Sequence, residues 1–212
     1  TIPPSRNKLG VVLAKPPVLL ATVVGFLLIG AAAAVEVGVV SVFGHDGAKA
    51  GFVLAIWAIG SIIGGLALGG VPISPWALAT RMAAVFVGIA LAGIFLDFWW
   101  IAGALLIAGA GIAPALAVMF AIVSASVKFS DTAEAYGWMG SGQLIGAALG
   151  SAIAGFAIDG FGSVGGFIAA SIFALVGFLV ATIFRSAHPD LRGRDAAPIP
   201  DTEPVTTLNI QP

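Results

Sequence analysis

The stretch FWWIAGALLIAGAGIAPALAVMFAIVSASV, residues 98–127, contains no Asp, Glu, Lys or Arg. A hydrocarbon core about 30 Å thick is crossed by roughly 20 apolar residues at about 1.5 Å each, so this stretch is long enough to span a bilayer as a helix. Residues 50–80 and 160–184 are equally free of charge. Three such runs place the chain in a membrane. Composition agrees: 59% of the 212 residues are apolar and 9% charged, and the mean hydropathy is +1.10, outside the range of soluble domains.

Several functions are excluded at this level. The net charge is −1 and no basic stripe is present, so nucleic acid is not a partner. With no cysteines there are no disulfides, thiolate metal sites or Cys nucleophiles. His45 and His188 are far apart, and neither a metal cluster nor a cofactor motif can be assembled. A phosphate loop, HExxH and a Ser-His-Asp order are all lacking, so the chain does not read as an enzyme. It opens on Thr1 and a polar stretch unlike a signal peptide, and an upstream portion is expected.

Prolines, glycines and charges divide the apolar sequence into six helices, at about 17–43, 50–69, 75–96, 98–127, 131–158 and 163–185. Pro16 and Pro17 suit the start of the first, and Ser74 with Pro75 the start of the third, where the first N–H groups have no helical partner. Asp97 closes the third helix, and Asp131 with Glu134 predicts a capping box on the fifth. Asp46, Lys49, Asp97 and Asp159 fall at outer helix ends and read as solvated. Residues 186–212, rich in proline and charge, read as a disordered tail.

Six crossings put both termini on one side, together with Arg6, Lys8, Lys15, Arg81, Lys128, Arg185, Arg192 and Arg194; only Lys49 lies opposite. The positive-inside rule then makes the termini cytoplasmic and the chain a multi-pass protein of the cell membrane, with the lipid bilayer its first partner. Trp76, Trp99 and Trp100 fit interfacial belts, whereas Trp57 sits deeper.

Inside the helices, Gly142, Gly146 and Gly150, followed by Ala154, recur every four residues and give one smooth face to the fifth helix. Gly60 with Gly64 repeats the device in the second. Such faces serve tight static packing, or let helices slide. Pro114 predicts a kink in the fourth helix, as plain shape or as a hinge. Glu36 is the one acid at membrane depth, about seven residues or roughly 10 Å from the outer end of the first helix. Turned to the interior it would exchange protons or bind a cationic group; turned outward it would reach the interface or pair for packing. Gln143 and Ser141 offer hydrogen bonds either to a solute or to a neighbouring helix.

Several of these stretches together resemble the C-terminal half of a major facilitator superfamily transporter, of the efflux-type permeases common in actinobacteria. GAAAAVEVGVVSVF (30–43) resembles that group's seventh helix, GFVLAIWAIGSIIGGLALG (51–69) its eighth, GAGIAPALAVMFAIVSASV (109–127) its tenth, and TAEAYGWMGSGQLIGAALGSAIAGFAID (132–159) its eleventh. The resemblance covers about residues 17–185, and it implies that residues 1–16 are the end of the cytoplasmic linker joining the two halves. It implies an all-α membrane protein whose six transmembrane helices are one half of a twelve-helix fold, with a small-molecule solute carried by alternating access between this half and an N-terminal six-helix half. It further implies proton-coupled efflux, with Glu36 the sensing acid and Gly142, Gly146 and Gly150 the flexing face. GGVPISPWALATR (69–81) departs from the family's Gly-x-x-x-Asp-Arg-x-Gly-Arg gate: Arg81 is present and the Asp is not. The competing readings are a six-helix membrane assembly protein that transports nothing, and a homodimeric carrier.

Overall fold

The computed structural model describes residues 10–193 and 196–201. Six α-helices follow in order: α1 Pro16–Phe43, α2 Gly47–Leu68, α3 Ala77–Ala92, α4 Phe98–Ser124, α5 Thr132–Phe161 and α6 Val164–Ile183. Five are long and apolar enough to cross a membrane, and α3 is a shorter apolar helix. At 16 residues, α3 extends about 24 Å at 1.5 Å per residue, less than a full hydrocarbon core. The third helix is thus shorter at both ends than the sequence predicts. Ser74 and Pro75 lie in a turn closed by the Ala77 N–H on the Ser74 carbonyl (2.9 Å). At the other end the chain leaves the helix at Gly93, and the Trp100 indole N–H satisfies the Leu91 carbonyl at 2.7 Å.

Local chemistry accounts for the other ends. Lys15 is extended, as a residue before proline must be, and Pro16 and Pro17 open α1. Asp46 caps α2 by accepting from the Lys49 N–H (3.3 Å), and Asp97 caps α4 by accepting from the Trp99 and Trp100 N–H groups (3.0 and 3.3 Å). These two acids are caps rather than merely solvated charges. Gly162, at φ 68°, takes a backbone conformation that favours glycine and so permits the two-residue connection, Gly162 and Ser163, between α5 and α6.

The capping box expected of Asp131 and Glu134 does not form. Asp131 ends a 3₁₀ turn, Phe129–Asp131, and is itself helical (φ −94°, ψ −6°), whereas a cap needs extended backbone. Both acids instead hold the segment before α1. Asp131 faces Lys15 at 3.9 Å, and Glu134 accepts from the Gly10 N–H at 3.0 Å.

The helices form two clusters, α1 with α5 and α6, and α4 with α2 and α3, joined by α3 on α6 and by α1 on α4 and α2. Exchanging α1–α3 for α4–α6 maps α1 on α5 onto α4 on α2, α1 on α6 onto α4 on α3, and α1 on α2 onto α4 on α5, whereas α5 on α6 has no counterpart in α2 on α3, so the internal pseudo-symmetry is approximate. Small residues make the contacts close. A Cβ on Gly146 or Gly150 would fall on the carbonyls of Phe26 or Gly30 in α1, and one on Gly142 would meet Thr22. The symmetric pair repeats it: Gly60 and Gly64 of α2 lie on the carbonyls of Leu106 and Ala110 in α4. In a membrane, where lipid is as apolar as any side chain, such backbone approach is a main source of helix adhesion.

The described tail residues, 186–193 and 196–201, depart from the disorder their composition suggests, and the rest of the 186–212 segment lies outside the described residues. His188 and Leu191 are buried, and the Leu191 N–H donates to the Ile73 carbonyl (3.1 Å). Ile199 forms a parallel bridge with Lys128, through the Ile199 N–H on Val127 and the Phe129 N–H on Ile199 (2.9 and 3.0 Å). Asp201 accepts from the Ser130 hydroxyl at 2.8 Å. The described tail residues therefore strap the α2–α3 loop to the α4–α5 loop, because open backbone groups and a few apolar side chains there find partners on the bundle.

Candidate functional site

Glu36 lies on α1 and is exposed, at the rim of a cleft of about 420 Å³ shared by α1, α2 and α4. Ala32 flanks it on α1, Trp57 and Ser61 face it from α2, and Ile112 lines the side formed by α4. Glu36 is thus the charged residue of an otherwise largely apolar lining. Trp57, which looked misplaced as an interfacial residue, is a wall of this cleft. Only 8% of it is exposed, and its indole nitrogen is buried without a hydrogen-bond partner among the described residues. A buried N–H left unpaired costs about 1–3 kcal/mol, so it is a donor waiting for an acceptor.

Gln143 is elsewhere. Its amide lies against Gly25 of α1, where a Cβ would meet the Gln143 nitrogen at 3.3 Å, with Met119 of α4 beside it. Gly25 and Glu36 are eleven positions apart on α1, about 16 Å along the axis. The Gln143 amide nitrogen is buried and has no partner among the described residues. Ser141 is exposed on α5. Gly142, Gly146 and Gly150 are taken up by the α1 contact.

Pro114 is buried in α4, which runs unbroken from Phe98 to Ser124. Having no N–H, Pro114 leaves the Ala110 carbonyl without its helical donor. Gly64 of α2 sits against that carbonyl, close enough for a Cα–H···O contact. The proline and the glycine are thus two halves of one contact. Each is visible in the sequence, but they belong to different helices. The spacing Gly60/Gly64 against Leu106/Ala110, four on four, was the available signal.

A match to the Major Facilitator Superfamily extends over residues 18–209. The chain belongs to this superfamily. None of the curated proteins and none of the solved structures matches it. Superfamily members are membrane transporters rather than enzymes, which agrees with the apolar helices.

Proposed function

We propose that this chain is one half of a secondary transporter that moves a small-molecule solute across the cell membrane by alternating access, as proton-coupled efflux. Glu36 is the acid that senses the proton or the solute. The observation carrying this reading is the Glu36 cleft, in which a carboxylate and the indole of Trp57 share an apolar recess of about 420 Å³. An acid at membrane depth that borders a cleft marks a proton or solute path by default.

In this reading α3 completes a sixth crossing with the turns on either side of it, and both termini are cytoplasmic. The second half of the carrier docks on α2 and α5. Those two spans are only 22% and 17% buried within the bundle, against 67% for α1 and 50% for α4 and α6. Gln143 and Pro114 shape the solute path, and the α5 glycines keep α5 seated on α1 while the halves rock.

The test is Glu36→Gln in the complete transporter. Efflux driven by a pH gradient should fall by about tenfold or more, the range in which removing a proton-transferring side chain acts, and the remaining transport should lose its pH dependence. Wild-type rates with an unchanged pH profile would remove Glu36 from the mechanism.

A further inference from the structure

At the end of the bundle that carries the termini, Arg81 is 93% buried, being 7% exposed. Its Nη1 donates to the Ala77 carbonyl at 2.8 Å, its Nε has no partner, and no carboxylate pairs with it among the described residues. A buried guanidinium without a counter-charge is costly, several kcal/mol by general estimates. Nothing in the Glu36 cleft relieves it.

Three further features converge here. A second cleft, of about 340 Å³, runs past Arg81 between the ends of α2 and α3, which pack on α4 and not on each other. Ser74 and Arg81 lie on its polar side, and Leu68, Val71, Ala84 and Ala110 on its apolar side. The docked tail brings His188, 4% exposed, to this end of α3, and its Nε2 is also buried without a partner. The His188 Nδ1 donates to the Pro189 carbonyl at 2.7 Å, so Nε2 is the position open to take a proton. Trp76 stands at the start of α3 with the Arg185 guanidinium 4.6 Å from its ring centre, adding positive charge nearby.

We propose that Arg81 and His188, with the Ser74 hydroxyl, form a binding site for a phosphate-type anion at the end of α3, separate from the solute cleft. The guanidinium supplies a fork of donors, which suits phosphate oxygens. The imidazole takes a proton at Nε2 as the anion arrives and becomes a further donor. Two sources share this chemistry: the headgroup of an anionic phospholipid, whose chain would follow the apolar side of the cleft, and free phosphate. The charged groups facing His188 are Arg81 from α3 and Asp190 from the tail. The anion therefore adds the negative charge that favours the imidazolium.

The test is hydrogen exchange of the full chain in nanodiscs of phosphatidylcholine alone, of phosphatidylcholine with phosphatidylglycerol, and of phosphatidylcholine with added inorganic phosphate. The Leu191 amide is the reporter, since its bond to Ile73 closes the tail over this site. An anion bound only to the closed form should slow its exchange by about tenfold at ten times its dissociation constant. Protection by phosphatidylglycerol alone assigns the lipid, and protection by inorganic phosphate as well assigns the free anion. Protection in neither overturns the site. Arg81→Gln should abolish the effect, and persistence of protection in that variant would also overturn it. Should Arg81→Gln fail to fold, His188→Gln serves. It should leave protection by phosphatidylglycerol, whose phosphodiester does not titrate in this range, independent of pH between about 6 and 8, where the wild type binds more tightly in acid, and a pH dependence surviving with that lipid would exclude the imidazole.

Discussion

His188 is a polar residue in a stretch that composition marks as unstructured, yet it is among the most buried polar groups of the bundle. Burial, with the nearby charge of Arg81, holds its imidazole below the ordinary value of 6.5, against the opposing pull of the Pro189 carbonyl and Asp190. A released tail would bind a proton at higher pH than the docked one. Docking is therefore at full strength above about pH 6.5 and weakens as the pH falls from there towards the lower docked value. In a neutral detergent without anions, the protection of the Leu191 amide, its exchange rate set against the intrinsic rate at each pH, should fall as the pH drops from about 7 to 5. A rate that follows only the intrinsic chemistry of exchange would contradict this. Glu36 shows what a sequence does and does not disclose at this scale. Its depth was legible from its apolar neighbours. Its facing towards Trp57 and Ser61 was not, because those residues belong to another helix and meet it only through the bundle's packing.

At the scale of the helices, the glycine faces work as backbone-to-backbone contacts. Gly150→Ala would set a methyl group on the Gly30 carbonyl and should destabilise the bundle by roughly 1–3 kcal/mol. Gly103→Ala, in α4 where a Cβ meets nothing within 4 Å, should change stability by no more than about 1 kcal/mol, in the stabilising direction. Thermal unfolding of both variants in detergent checks the contrast. Gly64 and Pro114 should behave as a coupled pair. Pro114→Ala restores a donor to the Ala110 carbonyl and draws it back into α4, which makes room for a methyl group at position 64. Gly64→Ala alone should be the more harmful single change, and the double variant should be less harmful than the sum, by about 0.5–3 kcal/mol. Simple additivity in a double-mutant cycle would separate the two residues. The periodicity of these glycines was plain in the sequence. Which helix each face met was not, since α1, α2, α4 and α5 all carry small residues at compatible spacing.

For the molecule as a whole, the paired ends define two opposite surfaces. Lys15 with Asp131, and the tail with residues 127–130, mark one; the Ser41 and Ser163 hydroxyls, 2.7 Å apart between α1 and α6, mark the other. The natural sequence has no cysteine, so single substitutions give clean labels. His45→Cys should react with an impermeant thiol reagent in intact cells, and Lys128→Cys only after permeabilisation. Reaction of both from one side would break the six-crossing topology. Membrane residence, helix number and most helix ends followed from the sequence alone, because a bilayer leaves no water for unpaired backbone groups and so converts apolar length directly into helices. The seating of α5 on α1 and α2 on α4, the cleft under Glu36, the isolation of Arg81 and the docking of the tail were settled only by the tertiary structure. Lipid is no less apolar than the helices themselves, so hydrophobicity does not choose among partners there, and close fit between particular backbones does.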